Sequence, residues 1–429
     1  MTVLRPLCFV VVVWGERFRR YLTDYCLPSL LSPGNIPALA GGRGNRFLIC
    51  TTPADRAAIR ETPAFIALER HITPVFVEIP LPPAGRSGCE HMGVGHRAAA
   101  ELVRRDGGYG VFLTPDLMLS DGSVAALERH ARNGRRVVLC AAFRFGEEPL
   151  FEQLRAMGAL LPSGAAPAAA VMVTGRQLVS AMLRSFHSEG LSYGWDAPAF
   201  ANLPAACWWR VPGEDGIVVH SLSWAPLLLD YAAVARHDTT ALETWTIDAD
   251  YVYRNFGDTP DIHIVTDSDE IMLVSWTPLA ETARTQSTTL PERLPLARNW
   301  IKGAIVRGAL TSGIFDPLKQ RSFFIPVRWH AGDLTPAWTE TERRAAAILR
   351  RYAGDPAPES HGPARGAGLV ALAAAGRLWI VAADVFGHTD RLRLRVAQAL
   401  RGDREAVDRL RSRAGRAWKT IRGSPAAGH

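Results

Sequence analysis

The chain has 429 residues, enough for two domains, and its 48% hydrophobic and 21% charged content excludes a disordered protein. The formal net charge is +7, but residues 391–429 alone hold eleven Lys or Arg against three Asp or Glu. The rest of the chain is therefore close to neutral. Because no nucleic-acid motif accompanies the basic tail, we predict no nucleic-acid partner.

Six widely spaced cysteines without a CxxC pair predict a reducing compartment and no disulfide framework. No apolar stretch reaches the roughly 18 residues that a membrane-spanning helix needs. The apolar run from Leu7 to Trp14 lacks a cleavage site and is typical of a buried strand rather than a signal peptide. We therefore expect a cytoplasmic protein.

Short apolar runs alternate with helical patterns in the first part of the chain. We predict strands at Cys8 to Val13, Arg46 to Cys50, Pro74 to Ile79 and Tyr109 to Leu113. We predict helices at Glu16 to Leu31, Pro53 to Arg70 and His91 to Arg105. This alternation predicts an α/β fold with a mostly parallel sheet, right-handed crossovers and helices on both faces.

Further elements follow with looser patterns. Strands are predicted at Arg136 to Phe143, Ala168 to Val173, Cys207 to Val211 and Gly216 to Ser221, and helices at Ser123 to Ala131, Gln177 to Phe186 and Trp224 to Val234. Asp261 to Val265 and Glu270 to Trp276 resemble the two strands of a hairpin.

A polar, proline-containing stretch from Pro278 to Pro295 predicts a boundary near residue 285. It would separate domain 1–285 from a mainly helical region, 286–429. Predicted helices there are Leu296 to Leu310, Glu340 to Tyr352, Arg391 to Leu400 and Arg404 to Ile421.

Asp116 directly follows the fourth strand, where ligands of parallel sheets bind. A carboxylate here could hold a divalent cation, Mg²⁺ or Mn²⁺, that neutralises a diphosphate. Alternatively, Asp116 or Asp121 could cap the helix that begins near Ser123.

Three stretches together carry a family resemblance. The first runs from Val10 through Trp14 to Leu31, the second from His96 to Asp116, and the third from Glu189 through Asp196 to His220. In order and spacing they resemble the GT-A (Rossmann-like) fold of nucleotide-sugar glycosyltransferases, particularly the inverting family 2 type.

The resemblance implies specific roles. Asp116 matches the second aspartate of the family's Asp-x-Asp, which acts on metal and diphosphate. Asp196 matches the general base that deprotonates the acceptor hydroxyl, and His220 matches a histidine that reaches the metal or the diphosphate. Two positions depart from the pattern, since Thr114 replaces the first aspartate and Trp195 replaces the glutamate before the base. Such a weakened motif leaves open a cation held by Asp116 with few protein ligands, cationic side chains in place of metal, or a silent fold.

The predicted nucleotide-sugar site includes more residues at the same edge of the sheet. They are Trp14, Thr51, Asp55 and Arg97, together with Thr114 and Asp116. Trp195 is the predicted sugar contact, because aromatic faces suit sugar C–H groups, and the alternative is a place in the core. The literal Asp248-Ala-Asp250 is assigned to a loop or strand edge, and Asp267 to Glu270 to a turn.

We therefore predict a glycosyltransferase that moves a sugar from a nucleotide-diphosphate sugar to a glycan or lipid-linked acceptor. The basic amphipathic tail, Arg391 to Arg422, is either a solvated helical hairpin or a dock on an anionic membrane surface. A catalytically silent GT-A-like module that binds a nucleotide, glycan or protein is the main alternative. A methyltransferase or dehydrogenase is disfavoured by the missing glycine-rich first loop.

Overall fold

The computed structural model describes residues 4–39, 44–85, 87–161, 170–257, 259–281, 286–290, 295–311 and 315–354. The described residues all belong to the first of the two units into which the chain divides, residues 1–360. The predictions for the basic tail and its two helices lie outside the described residues.

The first unit contains both strands and helices. The strands are β1 Leu7–Val12, β2 Arg46–Thr51, β3 Thr73–Glu78, β4 Tyr109–Leu113, β5 Leu117–Leu119, β6 Val137–Ala141, β7 Arg144–Gly146, β8 Ala199–Ala201, β9 Ala206–Arg210, β10 Gly216–Ser221, β11 Trp224–Asp230, β12 Ile262–Ile264, β13 Leu273–Thr277, β14 Ser287–Thr289 and β15 Val327–His330. The α-helices are α1 Glu16–Tyr21, α2 Leu27–Leu30, α3 Pro53–Arg60, α4 Pro63–Leu68, α5 Gly88–Arg105, α6 Ser123–Arg132, α7 Glu147–Ala156, α8 Gly175–Leu183, α9 Ser188–Leu191, α10 Ala249–Phe256, α11 Pro295–Thr311, α12 Pro317–Ser322 and α13 Pro336–Tyr352.

The central sheet has seven strands in the order β12-β6-β11-β4-β1-β2-β3. All neighbours pair in parallel except β11, which is antiparallel to both β4 and β6. Every residue of β1 is buried, because helices cover both faces of the sheet. The predicted fold class, a mostly parallel α/β sheet flanked by helices, is confirmed.

The early helices differ from prediction in detail. The first predicted helix is one helical stretch in which a π-helical segment, Leu22–Cys26, joins α1 to α2. The predicted helix from Pro53 to Arg70 is two helices, α3 and α4. Thr62 caps α4 by accepting a hydrogen bond from Phe65 N, and Pro63 disfavours a helical conformation at the residue before it.

Three later predictions are wrong. Trp224–Asp230 is a strand, β11, rather than part of a helix. The two segments of the supposed hairpin do not pair, since β12 joins β6, and β13 joins β5 and β7. Residues 170–173 of the predicted strand from Ala168 are not in a strand, although Val171 N donates to Pro28 O.

A second, smaller sheet joins distant parts of the chain. β10 pairs with β9 and with β15, both antiparallel. Helices α11 and α13 contact one another beside it. The domain boundary near residue 285 stays a prediction. One strand of this sheet, β15, comes from the part of the chain after residue 285.

The acidic turns have structural partners. Gly122, in the left-handed conformation at φ 88°, is the N-cap of α6, and Asp121 Oδ1 instead accepts from Gly34 N. Asp248 caps α10 by accepting from Asp250 N. Asp267 accepts from Asp269 N at 2.9 Å, as expected of a turn. Within the described ranges, no helix combines the length and apolarity needed to cross a bilayer.

Candidate functional site

Three predicted residues lie beyond the ends of adjacent parallel strands. Thr114 follows β4, Trp14 closely follows β1, and Thr51 ends β2, in the sheet order β4-β1-β2. Thr51 is 1% exposed, and its hydroxyl has no hydrogen-bond partner among the described residues. The structure therefore brings these residues to one edge of the sheet, as the parallel topology requires.

Asp55 braces this edge. Its Oδ2 accepts from Gly15 N and from the Thr52 hydroxyl, both at 2.9 Å, and its Oδ1 accepts from Arg19 at 2.9 Å. The left-handed Gly15, with φ 79°, turns the chain toward this carboxylate. With these partners, Asp55 holds the loop after β1 against α3.

Trp14 and Arg97 have exposed surface at the same side. The Trp14 ring meets His91 edge-on, with ring centroids 4.7 Å apart. Arg97, on α5, lies 3.6 Å from Glu243 and its side chain is 42% exposed. A cavity lies nearby, and neither Trp14 nor Arg97 is among the described residues that line it.

A cavity of about 280 Å³ opens beyond the ends of β4 and β6. Its polar and charged lining residues are His96, Thr114, Arg144, Glu189, Tyr193, Ser223, Thr246 and Ser275. Ligand pockets for drug-sized molecules span roughly 300–1,000 Å³, so this volume suits a single sugar-sized unit rather than a whole nucleotide sugar.

Asp116 and Arg144 form an ion pair beside this cavity. Asp116 Oδ2 lies 3.2 Å from the Arg144 guanidinium. Asp116 is buried at 3% exposure, whereas Arg144 keeps 36% of its side chain exposed. The pair thus anchors a guanidinium that is partly exposed and lines the cavity. Sequence reasoning missed Arg144, although its position just after β6 was a signal of the same kind as that of Asp116.

Glu189 is the carboxylate among the described lining residues. Its Oε1 accepts a hydrogen bond from the Tyr193 hydroxyl at 2.7 Å. Glu189 opens the third stretch that carries the family resemblance, but sequence reasoning gave it no role.

His96 presents a neutral imidazole to the cavity. Its Nδ1 accepts from Ile247 N at 3.2 Å, so the proton of the neutral ring is on Nε2. Burial lowers the pKa of His96 to about 3. Nε2 is itself buried and has no hydrogen-bond partner among the described residues.

Trp195 and Asp196 have different surroundings from those predicted. Trp195 is 3% exposed and stacks on Trp209, with ring centroids 5.2 Å apart, and its Nε1 donates to Asn299 Oδ1 at 2.9 Å. The buried Lys302 donates to the Trp195 carbonyl. Asp196 is exposed and, like Trp195, is not in the lining of the cavity that the described residues form.

His220 is buried in the same region as Trp195. Its Nδ1 donates to the Phe323 carbonyl at 2.9 Å, and its ring meets Trp209 edge-on. Burial lowers its pKa to about 4. No contact in the described chain joins His220 to Asp116.

These donors do not fit a divalent cation at Asp116. The one carboxylate of the predicted motif is already paired with a guanidinium, and Thr114 offers a hydroxyl where the motif has a second carboxylate. Mg²⁺ and Mn²⁺ favour several oxygen ligands, usually with carboxylate charge. Arg144 supplies positive charge at this place instead.

Comparison with known proteins gives similarities of fold only. No protein-family model and no curated protein matches the sequence. Among solved structures, a mannosyltransferase from Pyrobaculum calidifontis, in complex with GDP-mannose and Mn²⁺, is 12% identical, with 90% of this chain and 87% of that chain covered and a TM-score of 0.33. TarS from S. aureus is 10% identical, with 42% and 34% covered and a TM-score of 0.22.

A protein from Bacillus anthracis described as a glucose-1-phosphate thymidylyltransferase, in complex with sucrose, is 13% identical, with 33% and 58% covered and a TM-score of 0.20. This chain thus spans 58% and 34% of the lengths of two of these proteins. At such low similarity, the comparisons say nothing of which substrate this chain takes.

Proposed function

We propose that the protein is a glycosyltransferase that uses a nucleotide-diphosphate sugar and transfers the sugar to the hydroxyl of a glycan or lipid-linked acceptor. The observation that carries the proposal is the cavity beyond β4 and β6, where an anchored guanidinium and a carboxylate occur together. In glycosyl transfer, a guanidinium can stabilise the leaving diphosphate and a carboxylate can accept the acceptor proton.

In the proposed reaction the acceptor oxygen bonds to the anomeric carbon as the bond from that carbon to the diphosphate breaks. The leaving diphosphate keeps the electron pair, and Arg144 stabilises its charge. A guanidinium fits phosphate oxygens in a bidentate manner. Asp116 holds Arg144 in place, so its role is positioning.

Glu189 is our candidate for the base that receives the acceptor proton, because it lines the cavity. Asp196, the base implied by the family resemblance, is the second candidate. The Thr114 hydroxyl would bind a hydroxyl of the transferred sugar, and the neutral His96 would form part of the cavity wall.

The nucleotide would lie outside the sugar-sized cavity, along the edge beyond β1 and β2. Trp14 and Arg97 are the proposed contacts there, with Trp14 supplying an aromatic surface for the base. Thr51, at 1% exposure, would support this edge from inside. Asp55 would support this loop from behind. The cytoplasmic location and the membrane dock of the tail stay predictions.

A catalytically silent module is the second candidate function. The absence of the first aspartate, replaced by Thr114, favours it, because a binding site that no longer turns over substrate does not need that residue.

The test is binding and turnover of UDP-, GDP- and CMP-sugars by the full chain, with and without Mn²⁺. We expect one nucleotide sugar to bind without metal, and Arg144→Ala to lower turnover by about 10²–10³-fold, as loss of a charge-stabilising donor does. The matched control is Arg184→Ala, which removes a surface guanidinium 3.3 Å from Asp215.

Equal activity of the two variants would contradict the role of Arg144. Binding of a nucleotide sugar without any turnover would favour the silent module. No binding of any nucleotide sugar would contradict both the glycosyltransferase and a nucleotide-sugar-binding silent module.

A further inference from the structure

A second polar cluster lies away from the cavity and consists of His130, His263 and Glu270. His130 Nε2 lies 2.6 Å from Glu270 Oε1, and His263 Nε2 lies 3.1 Å from both carboxylate oxygens. The two imidazole rings stack with centroids 4.1 Å apart. Both Nε2 atoms are therefore directed at one carboxylate.

The cluster is at the opposite end of β6 from the cavity. His263 pairs with Val138, near the start of β6, whereas Ala142 and Arg144, beyond its end, line the cavity. The three side chains come from three elements, namely α6, β12 and the turn before β13. Nothing in the proposed transfer reaction uses them.

We propose that His130, His263 and Glu270 bind one divalent transition-metal ion of the Zn²⁺ class. Two imidazole nitrogens and one carboxylate oxygen are a ligand set that Zn²⁺ accepts and that Mg²⁺ and Ca²⁺, which favour oxygen, do not. The three candidate ligand atoms lie within 4.8 Å of one another.

The distances suit such an ion after a small adjustment. At metal–ligand distances of about 2.0–2.1 Å, tetrahedral ligands stand roughly 3.3 Å apart. The separation of 3.1 Å at His263 is near that value, and the 2.6 Å at His130 would widen by several tenths of an ångström. His263 and Glu270 keep 23% and 24% of their side chains exposed, so an ion can enter and keep a water ligand.

The other His-containing acidic cluster is a poorer site. His330 Nε2 lies 2.8 Å from Asp267, but Arg176 already pairs with Asp269 at 3.0 Å. A guanidinium thus takes the place of a cation there. In the proposed site, the ion would fasten the edge strand β12 to α6.

The experiment titrates Zn²⁺ into the metal-stripped full chain by calorimetry and repeats the titration with His263→Gln and Glu270→Gln. We expect one equivalent to bind, with a higher Tm, and each variant to lose more than about 100-fold in affinity, since loss of an outer partner alone costs roughly 10–100-fold. His71→Gln, an exposed histidine, is the matched control.

Unchanged affinity in His263→Gln, no binding by the wild type, or loss of binding only in Asp267→Asn would overturn the proposal. Should the variants not fold, X-ray absorption of the Co²⁺- or Zn²⁺-loaded wild type decides. Two imidazole ligands support the site, and one or none refutes it.

Discussion

Two regions of the molecule differ in what covers them. One is the edge beyond β4 and β6, and the other is the region around Trp195 and His220. At the first, Arg144 keeps 36% of its side chain exposed at the cavity. At the second, Trp195 and His220 are 3% and 1% exposed, beneath side chains that come from α11 and from the end of α12. Residues of suitable chemistry occur in both regions, so the covering layer, contributed by a segment about 100 residues later, decides which of them can meet a ligand.

The largest expected effect concerns the general base, Glu189, and it tests whether the reaction takes place at the cavity. If the cavity is the reaction site, Glu189→Gln should lower kcat by about 10²–10⁴-fold with little change in KM, as removal of a general base does. Steady-state kinetics with whichever nucleotide sugar binds in the test of the proposed function provides the measurement.

Asp196→Asn is the matched variant, because it changes the exposed carboxylate three residues beyond Tyr193. We expect its kcat to stay within about twofold of the wild type, in line with surface substitutions. A large loss of kcat in Asp196→Asn, together with full activity in Glu189→Gln, would show that the reaction takes place in the region around Trp195 instead.

Lys302 tests how the second region is held together. Burial lowers its pKa to about 8, while the unfolded chain keeps this proton to about pH 10.4. The wild type should therefore gain up to about 3 kcal/mol from this group as the pH rises from roughly 8 to 10, and Lys302→Met should lack this gain.

Urea unfolding at about pH 7 and pH 10 measures how the free energy of unfolding changes with pH in the wild type and in Lys302→Met. Lys319→Met, which removes an ammonium 2.8 Å from Asp248, is the matched control. Parallel pH profiles of the wild type and Lys302→Met would show that the Lys302 ammonium is not buried as described.

His220 should give the smallest effect. We expect His220→Asn, which keeps a donor for the Phe323 carbonyl, to lose about 1–3 kcal/mol of stability near neutral pH. The folded pKa is about 4 and the unfolded value about 6.5, so this histidine stabilises the fold above pH 6.5 and that contribution is lost as the pH falls toward 4. The free energy of unfolding of His220→Asn should therefore fall less steeply than that of the wild type as the pH is lowered from 6.5 to 4.

Chemical unfolding across this pH range measures the difference. Nucleotide-sugar affinity, with and without Mn²⁺, should be the same in the variant and the wild type. A metal-dependent change in affinity would instead place His220 at a cation.

Local patterns predicted the first four strands, because each is a short run rich in apolar residues and bounded by turn residues. β11 could not be predicted in this way. Its seven residues are nearly all buried, and a continuous apolar run has no period that separates a strand from a helix. The pairing of β12 with β6 is equally invisible locally, since about 120 residues separate the partners.

The site was predictable where a residue directly follows a strand, as Asp116 does. Arg144 gives a similar signal just after β6, but its contact with Asp116 could not be predicted, because that contact depends on the order of strands in the sheet. The buried state of Trp195 depends on Asn299 and Lys302, whose packing no pattern near residue 195 encodes.

The antiparallel strand β11 separates the ends of β4 and β6 at the cavity. Because it lies between β4 and β6, their ends are two strand spacings apart, about 9.6 Å. Ser223, Ala225 and Pro226, from the start of β11 and the residue before it, line the space between them. The separation of these strand ends is therefore set by the sheet itself, and a larger side chain in place of Ala225 would reduce the volume of the cavity between them.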